Sequence, residues 1–299
     1  MTTTTRGDVY DATTAKMIEA LERGVTPWHK PWAIGVGRPR SMSTGKAYRG
    51  VNVLLLGFAA QDAGYTSEWW GTYRQMQERG GQVRRGERST EVLLWKPVTR
   101  RGEDENGEER TGGYLLARSF RVFNAEQCDG LEALAAAPRE APAATAADDI
   151  AAAYLTDGPS LTFGGDVAAY SPARDAVMMP RREAFAGDAE YFSTLFHELT
   201  HSTGHASRLA RDGVTEGHTF GDAEYSREEL IAEMGAAMLC ALAGVDNAAA
   251  QANSAAYLAS WIRTLRGDHK LIIQAAANAQ RAADLIAGAD AGAGLEAAA

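Results

Sequence analysis

Cysteine is nearly missing from this chain: Cys128 and Cys240 are the two among 299 residues, and they stand more than a hundred positions apart. With no CxxC or CxxH spacing, a thiolate metal cluster and a disulfide framework are both excluded, and a reducing compartment fits. Long apolar runs are absent too, and no window approaches eighteen uninterrupted apolar residues, so no membrane partner is expected. The opening MTTTTRGDVYDATTAK lacks the apolar stretch of a secretion signal, and we expect a soluble, cytoplasmic protein. No P-loop, zinc-finger or helix-turn-helix pattern occurs, which argues against nucleotide hydrolysis and against readout of a duplex. Histidine is scarce, with six residues, so two of them at ligand spacing carry weight.

What is present divides unevenly. The net charge of −9 conceals a first half, residues 1–126, with 19 Lys and Arg against 15 Asp and Glu, and a second half with 11 against 24. The two halves should therefore face different partners. Residues 131–149, LEALAAAPREAPAATAADD, are rich in Ala and Pro and read as a linker, because Pro138 and Pro142 would interrupt a helix. This divides the chain into domains at 1–130 and 150–299.

Residue patterning predicts an α+β class. Tyr10, Thr14, Met17, Ile18 and Leu21 share one helix face after Asp8, and the helix should end at Gly24. A second helix is expected after Val51. Val92–Val98 and Tyr114–Phe123 read as strands joined by a long loop, Thr99–Gly113. In the second half, AAYSPARDAVMMP, residues 168–180, reads as two extended pieces around a Ser-Pro turn. A helix that Asp188 caps and Gly204 ends should follow, then helices near 226–243, 254–266 and 269–287. Apolar stripes on the first two, Leu230, Met234, Ala237, Met238 and Ala241, then Tyr257, Leu258, Trp261, Ile262 and Leu265, are assigned to core packing.

The stretch FHELTHSTGH sets His197 and His201 four residues apart around Glu198. On a helix this spacing presents both imidazoles to one ion, with Glu198 placed to act as a general base on water there. Burying these groups without partners would cost about 1–3 kcal/mol for each unsatisfied one. A metzincin would need a histidine at position 207, which is Ser207, so that class is rejected. A gluzincin needs a glutamate on a later helix, and SREELIAEM offers Glu229 as third ligand, with Glu233 four residues on to orient a ligand histidine. Glu229 also fits a capping box with Ser226, and Glu228 or Glu233 are substitutes as ligand. His205 and His218 are weaker candidates for a substrate-side or alternative metal role.

The segments FHELTHSTGHASRL, YSREELIAEMGAAML and YLASWIRTLRGDHKLIIQAAANAQRAADLI together resemble the zincin-like metallopeptidase domain of plasmid antirestriction proteins of the ArdC type. PWHKPW, TGKAYRGVN, WWGTYRQMQERGGQVRRGERS and FRVFNAEQ resemble the single-stranded DNA-binding domain that precedes it in those proteins. The resemblance implies a mainly helical gluzincin-type domain with a small sheet behind an α+β DNA-binding domain. By this resemblance His197, His201 and Glu229 fall on metal ligands and Glu198 on the catalytic glutamate. It further implies binding of single-stranded DNA during conjugation, in the cytoplasm or carried with the DNA into a recipient cell. A protein substrate such as a restriction-system component would suit the peptidase. Zn2+ is favoured by the ligand set, and Mn2+ or Co2+ would also suit it.

Sequence-tolerant single-strand binding calls for basic residues interleaved with aromatic faces. The first half supplies Trp28, Lys30 and Trp32; Lys46, Tyr48 and Arg49; Trp70, Tyr73 and Arg74; and Arg84, Arg85 and Arg88. Five of the six tryptophans precede residue 100, and core packing is the competing role for each. The five carboxylates between Glu103 and Glu109 dilute the basic charge unless their loop projects away. Two alternatives stay open: a DNA-protecting protein with a structural, non-catalytic metal, and a metallopeptidase whose first half recruits proteins.

Overall fold

In the computed structural model, which describes residues 6–28, 37–103, 109–135, 146–216, 223–246 and 255–289, the first half is α+β. It runs α1 (Arg6–Glu22), β1 (Arg40–Ser41), α2 (Val51–Ala63), β2 (Trp69–Gly71), α3 (Tyr73–Glu78), β3 (Gln82–Val83), β4 (Thr90–Glu103), β5 (Glu109–Asn124) and β6 (Cys128–Asp129). Then follow α4 (Glu132–Ala135), α5 (Ala146–Asp157), β7 (Ser160–Phe163), β8 (Ala169–Ser171), β9 (Ala176–Met179), α6 (Asp188–Ser202), α7 (Asp212–Thr215), α8 (Ala223–Ala243), α9 (Ala255–Gly267) and α10 (Leu271–Ile286).

Helix α1 buries the expected face through Tyr10, Thr14, Met17 and Leu21. Helix α2 stops at Gly64, whose φ of 72° lets its N–H turn back to the carbonyls of Ala60 and Gln61. The main sheet has the order β1-β2-β5-β4, and β4 pairs antiparallel with β5 from Thr90↔Val122 to Glu103↔Glu109. That ladder corrects the expected loop at Thr99–Gly113, most of which is strand. Backbone ladder hydrogen bonds, not side-chain periodicity, define such a ribbon, so hydropathy carried no trace of it. Residues 104–108 of the acidic loop lie outside the described residues.

Asn52, at the start of α2, closes the outer edge of β4. Its side-chain amide donates to the Leu93 carbonyl at 2.6 Å and accepts from the Leu93 N–H at 2.7 Å, imitating a ladder pair at an edge where no further strand follows among the described residues.

The second half packs α6, α8 and α10 against one another, and α6 lies on a small sheet of order β7-β9-β8. Buried side chains surround α8 on nearly every side, among them Leu230, Ile231, Met234, Ala236, Met238 and Leu239, which makes it the central helix. Helix α10 offers it Ala275, Ala276, Ala279 and Ala283, all buried, whose short side chains permit close approach. Asp188 is the first residue of α6, with Gly187 as its cap, rather than the cap itself. The segment read as a linker is partly helical: α4 forms within it, and α5 begins at Ala146 with Ala147 fully buried. Residues 136–145 lie outside the described residues.

One continuous apolar core joins the halves, uniting Tyr10, Met17, Trp28, Leu54 and Trp70 with Trp261, Leu271, Ile272 and Ala275. Polar ties reinforce it, including an ion pair of Arg49 with Asp284. Arg38 Nη2 donates to Gln280 Oε1 at 3.0 Å.

Candidate functional site

Helices α6 and α8 touch so closely that a Cβ on Gly235 would lie 2.5 Å from Thr200 Cγ2, a contact only glycine avoids. This approach brings Glu229 of α8 to the two histidines of α6. The Nε2 atoms of His197 and His201 lie 3.1 Å apart, and Glu229 sets Oε2 3.5 Å from the first and Oε1 3.5 Å from the second. Donors at about 2.0–2.1 Å from one tetrahedral ion sit roughly 3.3 Å from each other. The three side chains therefore fit a divalent cation as they stand. They keep 14–18% exposure, which suits a centre open to solvent rather than a sealed structural one. Helix α8 is already under way at Ala223, so Ser226 is interior and the capping-box role for Glu229 is removed.

The electrostatics point the same way. Burial disfavours a charged imidazole, yet hydrogen bonds to Glu228 and Glu229 outweigh it and push His201 up to about 10. His197 is raised as well, burial being overcome by Glu229. Burial also opposes ionisation of Glu229, but its bonds to His197 and His201 hold the carboxyl far below the usual range. The cluster calls for positive charge between imidazoles and carboxylates, which protons or a divalent ion supply.

Glu198 projects beside this set and is 8% exposed. Its Oε2 accepts from the main-chain N–H of Tyr170 at 2.7 Å, so β8, the edge strand of the small sheet, aims a backbone donor at it. The orienting role expected of Glu233 is loose: its Oε1 is 4.0 Å from His197 Nδ1, and its buried Oε2 has no hydrogen-bond partner. Burial pushes that carboxyl up.

The closest carboxylate contact to a ligand histidine comes instead from Glu228, whose Oε1 is 3.2 Å from His201 Nδ1, with Arg211 gripping both Glu228 oxygens. Sequence reasoning held Glu228 only as a substitute ligand and passed over Arg211. The one available signal was the EE pair, since neighbouring residues on a helix point about 100° apart and serve different atoms. His205 is engaged with Ser207 Oγ at 2.8 Å and does not join the cluster, and His218 lies outside the described residues.

The nucleic-acid candidates separate sharply. Trp28, Tyr48 and Trp70 are 0%, 3% and 1% exposed, and a ring without a free face has none to offer a base. These three are core, a correction to the stacking role expected of them. Trp28 packs on Trp261 and Trp70 on Tyr65, while Arg49 is committed to Asp284. Lys30 and Trp32 lie outside the described residues. Lys46 is exposed but is not brought to the others.

Tyr73 is different. It is 44% exposed, meets Phe123 edge to face, and joins Arg84, Arg85 and Gln82 around a concavity of about 540 Å³ that Glu87 and Asp129 also line. Arg74 and Arg88 are exposed on the same segment of chain, Arg74 in an ion pair with Glu78. Arg84 is partly spent on Glu87 and on the Glu126 carbonyl. Among the described residues no helix is long and apolar enough to cross a membrane.

Residues 7–123 match the family described as the N-terminal domain of anti-restriction factor ArdC, and residues 146–278 match one described as zincin-like metallopeptidase. Over 93% of its length the chain is 37% identical to the protein y4eC of Sinorhizobium fredii and covers 91% of it. It is 36% identical, again over 93% of its length, to a DNA primase TraC of Escherichia coli, of which it spans 27%. Crystal structures of the antirestriction protein ArdC from plasmid R388, metal-free and Mn(II)-bound, align with TM-scores of 0.75 and 0.71. Their identities are 41% and 39%, with 93% of this chain and 96% and 97% of those chains covered.

Proposed function

Since the chain belongs to the ArdC family of antirestriction proteins, we propose that it binds single-stranded DNA entering a cell by conjugation and carries a metal-dependent peptidase centre. Residues 1–130 hold the DNA-binding role and residues 150–299 the metal centre, the two packed through a shared core. The convergence of His197, His201 and Glu229 beside Glu198 carries the reading. A purely structural ion would have no use for Glu198.

His197, His201 and Glu229 would hold the ion, with Zn2+ favoured and Mn2+ or Co2+ accepted by the same imidazole and carboxylate donors. A bound divalent ion supplies Lewis acidity, polarising a carbonyl oxygen and making water more acidic. Glu198 then takes a proton from the attacking water and returns it to the leaving nitrogen of the peptide. The Tyr170 N–H holds one Glu198 oxygen in place for this exchange. On the DNA side, Tyr73 supplies the face on which a base lies, with Arg84, Arg85 and Arg88 for the phosphates.

Two measurements on the full chain test this. Elemental analysis should find about one divalent ion per chain, emptied by His197→Ala. Titration of labelled oligonucleotides should give tighter binding to single strands than to duplex. A His197→Ala protein with full metal occupancy would refute the ligand set, and equal affinity for single and double strands would refute the stacking mode.

A further inference from the structure

The carboxylate nearest a ligand histidine is not itself a ligand. Glu228 sits one residue before Glu229 on α8 and faces the other nitrogen of His201, with Oε1 3.2 Å from Nδ1. Behind it Arg211 closes a fork, Nε to Oε2 at 2.9 Å and Nη2 to Oε1 at 2.6 Å. The same guanidinium donates to Thr203 Oγ1 at 2.6 Å and to the Thr200 carbonyl at 2.8 Å, both on the turn that ends α6. Arg211 and Glu228 are 8% and 5% exposed. The space around them is tailored: a Cβ on Gly213 would lie 3.1 Å from Glu228 Cβ, and one on Gly204 would lie 3.0 Å from Arg211 Nη2.

We infer that Arg211, acting through Glu228, is a positioning residue that fixes the tautomer and ring orientation of His201, turning its Nε2 lone pair towards the metal centre. The inference rests on the metal reading above. A carboxylate gripped on both oxygens by a guanidinium presents only acceptors, so the proton between Glu228 and His201 belongs to Nδ1. Nε2 is then the nitrogen left for the ion, which displaces the proton there on binding, and it is the atom that points at His197 and Glu229. Fixing the ring before the ion arrives removes an ordering cost from binding. Among the described residues His197 has no such clamp, the Glu233 carboxylate standing 4.0 Å from its Nδ1. The two ligands are therefore held unequally.

The test uses the full chain loaded with Zn2+ or Co2+ and reads affinity and spectra rather than proteolysis. Chelator competition should show Glu228→Gln, which leaves the buried Arg211 charge unpaired and is compared once circular dichroism shows it folded, binding zinc about 10–100-fold more weakly than wild type. Arg211→Lys, which keeps the charge but loses the fork, should fall between them. The visible spectrum of Co2+ should change in Glu228→Gln, reporting altered coordination. In the wild type, 15N spectra of labelled histidine should show His201 protonated at Nδ1 and metal-bound at Nε2, a measurement that stands even where a variant fails to fold. Metal on Nδ1, or wild-type zinc affinity in a folded Glu228→Gln protein, overturns the positioning role alone. Absence of zinc binding by the wild type overturns the metal reading together with it.

Discussion

The indole of Trp28 meets that of Trp261 edge to face, with ring centroids 5.2 Å apart and planes at 74°, so a residue of the first half is sealed by a helix of the second. Both rings are at most 2% exposed. Trp28→Ala should destabilise the whole chain by about 3–5 kcal/mol, the range for emptying an aromatic site in a packed core. That is a large share of a typical net stability of about 5–15 kcal/mol. Urea unfolding followed by circular dichroism checks it, and a fragment ending at residue 130 should fold poorly. An unchanged midpoint in Trp28→Ala would mean that the halves fold independently.

Glu198→Gln should keep the metal and lose proteolysis by at least about 100-fold, the lower end of what a general base contributes. The amide retains an oxygen for the Tyr170 N–H, so the local backbone is preserved. Cleavage of a mixed peptide library by wild type and variant, with metal content measured in parallel, separates the proton-transfer role from ligation. Equal cleavage rates would remove Glu198 from the chemistry.

Tyr73→Ala should weaken single-strand affinity by about 1–3 kcal/mol, the usual worth of one stacked base, and leave the salt dependence of binding nearly unchanged. Changing Arg84, Arg85 and Arg88 together to Ala should do the reverse, flattening the salt slope by roughly 0.7 for each phosphate that is no longer neutralised. Fluorescence anisotropy at several salt concentrations distinguishes the two. A Tyr73→Ala protein with wild-type affinity would leave the concavity without a stacking role.

Acid stability should reflect Asp175. Hydrogen bonds from Arg208, opposed by burial and supported by the Tyr170 hydroxyl, hold its carboxyl below the ordinary range. A carboxyl lowered in the folded state contributes stability that is fully present above the unfolded value of about 3.9. That contribution fades as pH falls through the lowered folded value. Asp175→Asn should therefore lower the melting temperature near neutral pH and approach wild type as the pH falls through the lowered folded value. Melting curves from pH 2 to 7 would show it, and a constant difference across that range would contradict it.

The amino-acid pattern by itself determined what is local. The i, i+4 spacing of His197 and His201 requires only that α6 be helical, and the apolar stripes of α1 and α9 were readable because a helix repeats every 3.6 residues. Glu229 was legible as a third candidate ligand for the same reason, once a later helix was granted.

What only the tertiary structure decided is everything that depends on which faces meet. Aromatic and basic residues interleave alike in a DNA groove and in a core, so sequence had no means of separating Tyr73, which is exposed, from Trp28, Tyr48 and Trp70, which are buried. The pairing of Arg211 with Glu228 spans 17 positions and follows from the loop after α6 folding back onto α8. The choice between Glu228 and Glu233 as the carboxylate behind a ligand histidine turned on the crossing of two helices at Gly235. Such contacts are set by the packing of whole elements, and no local periodicity encodes the rotation of one helix against another.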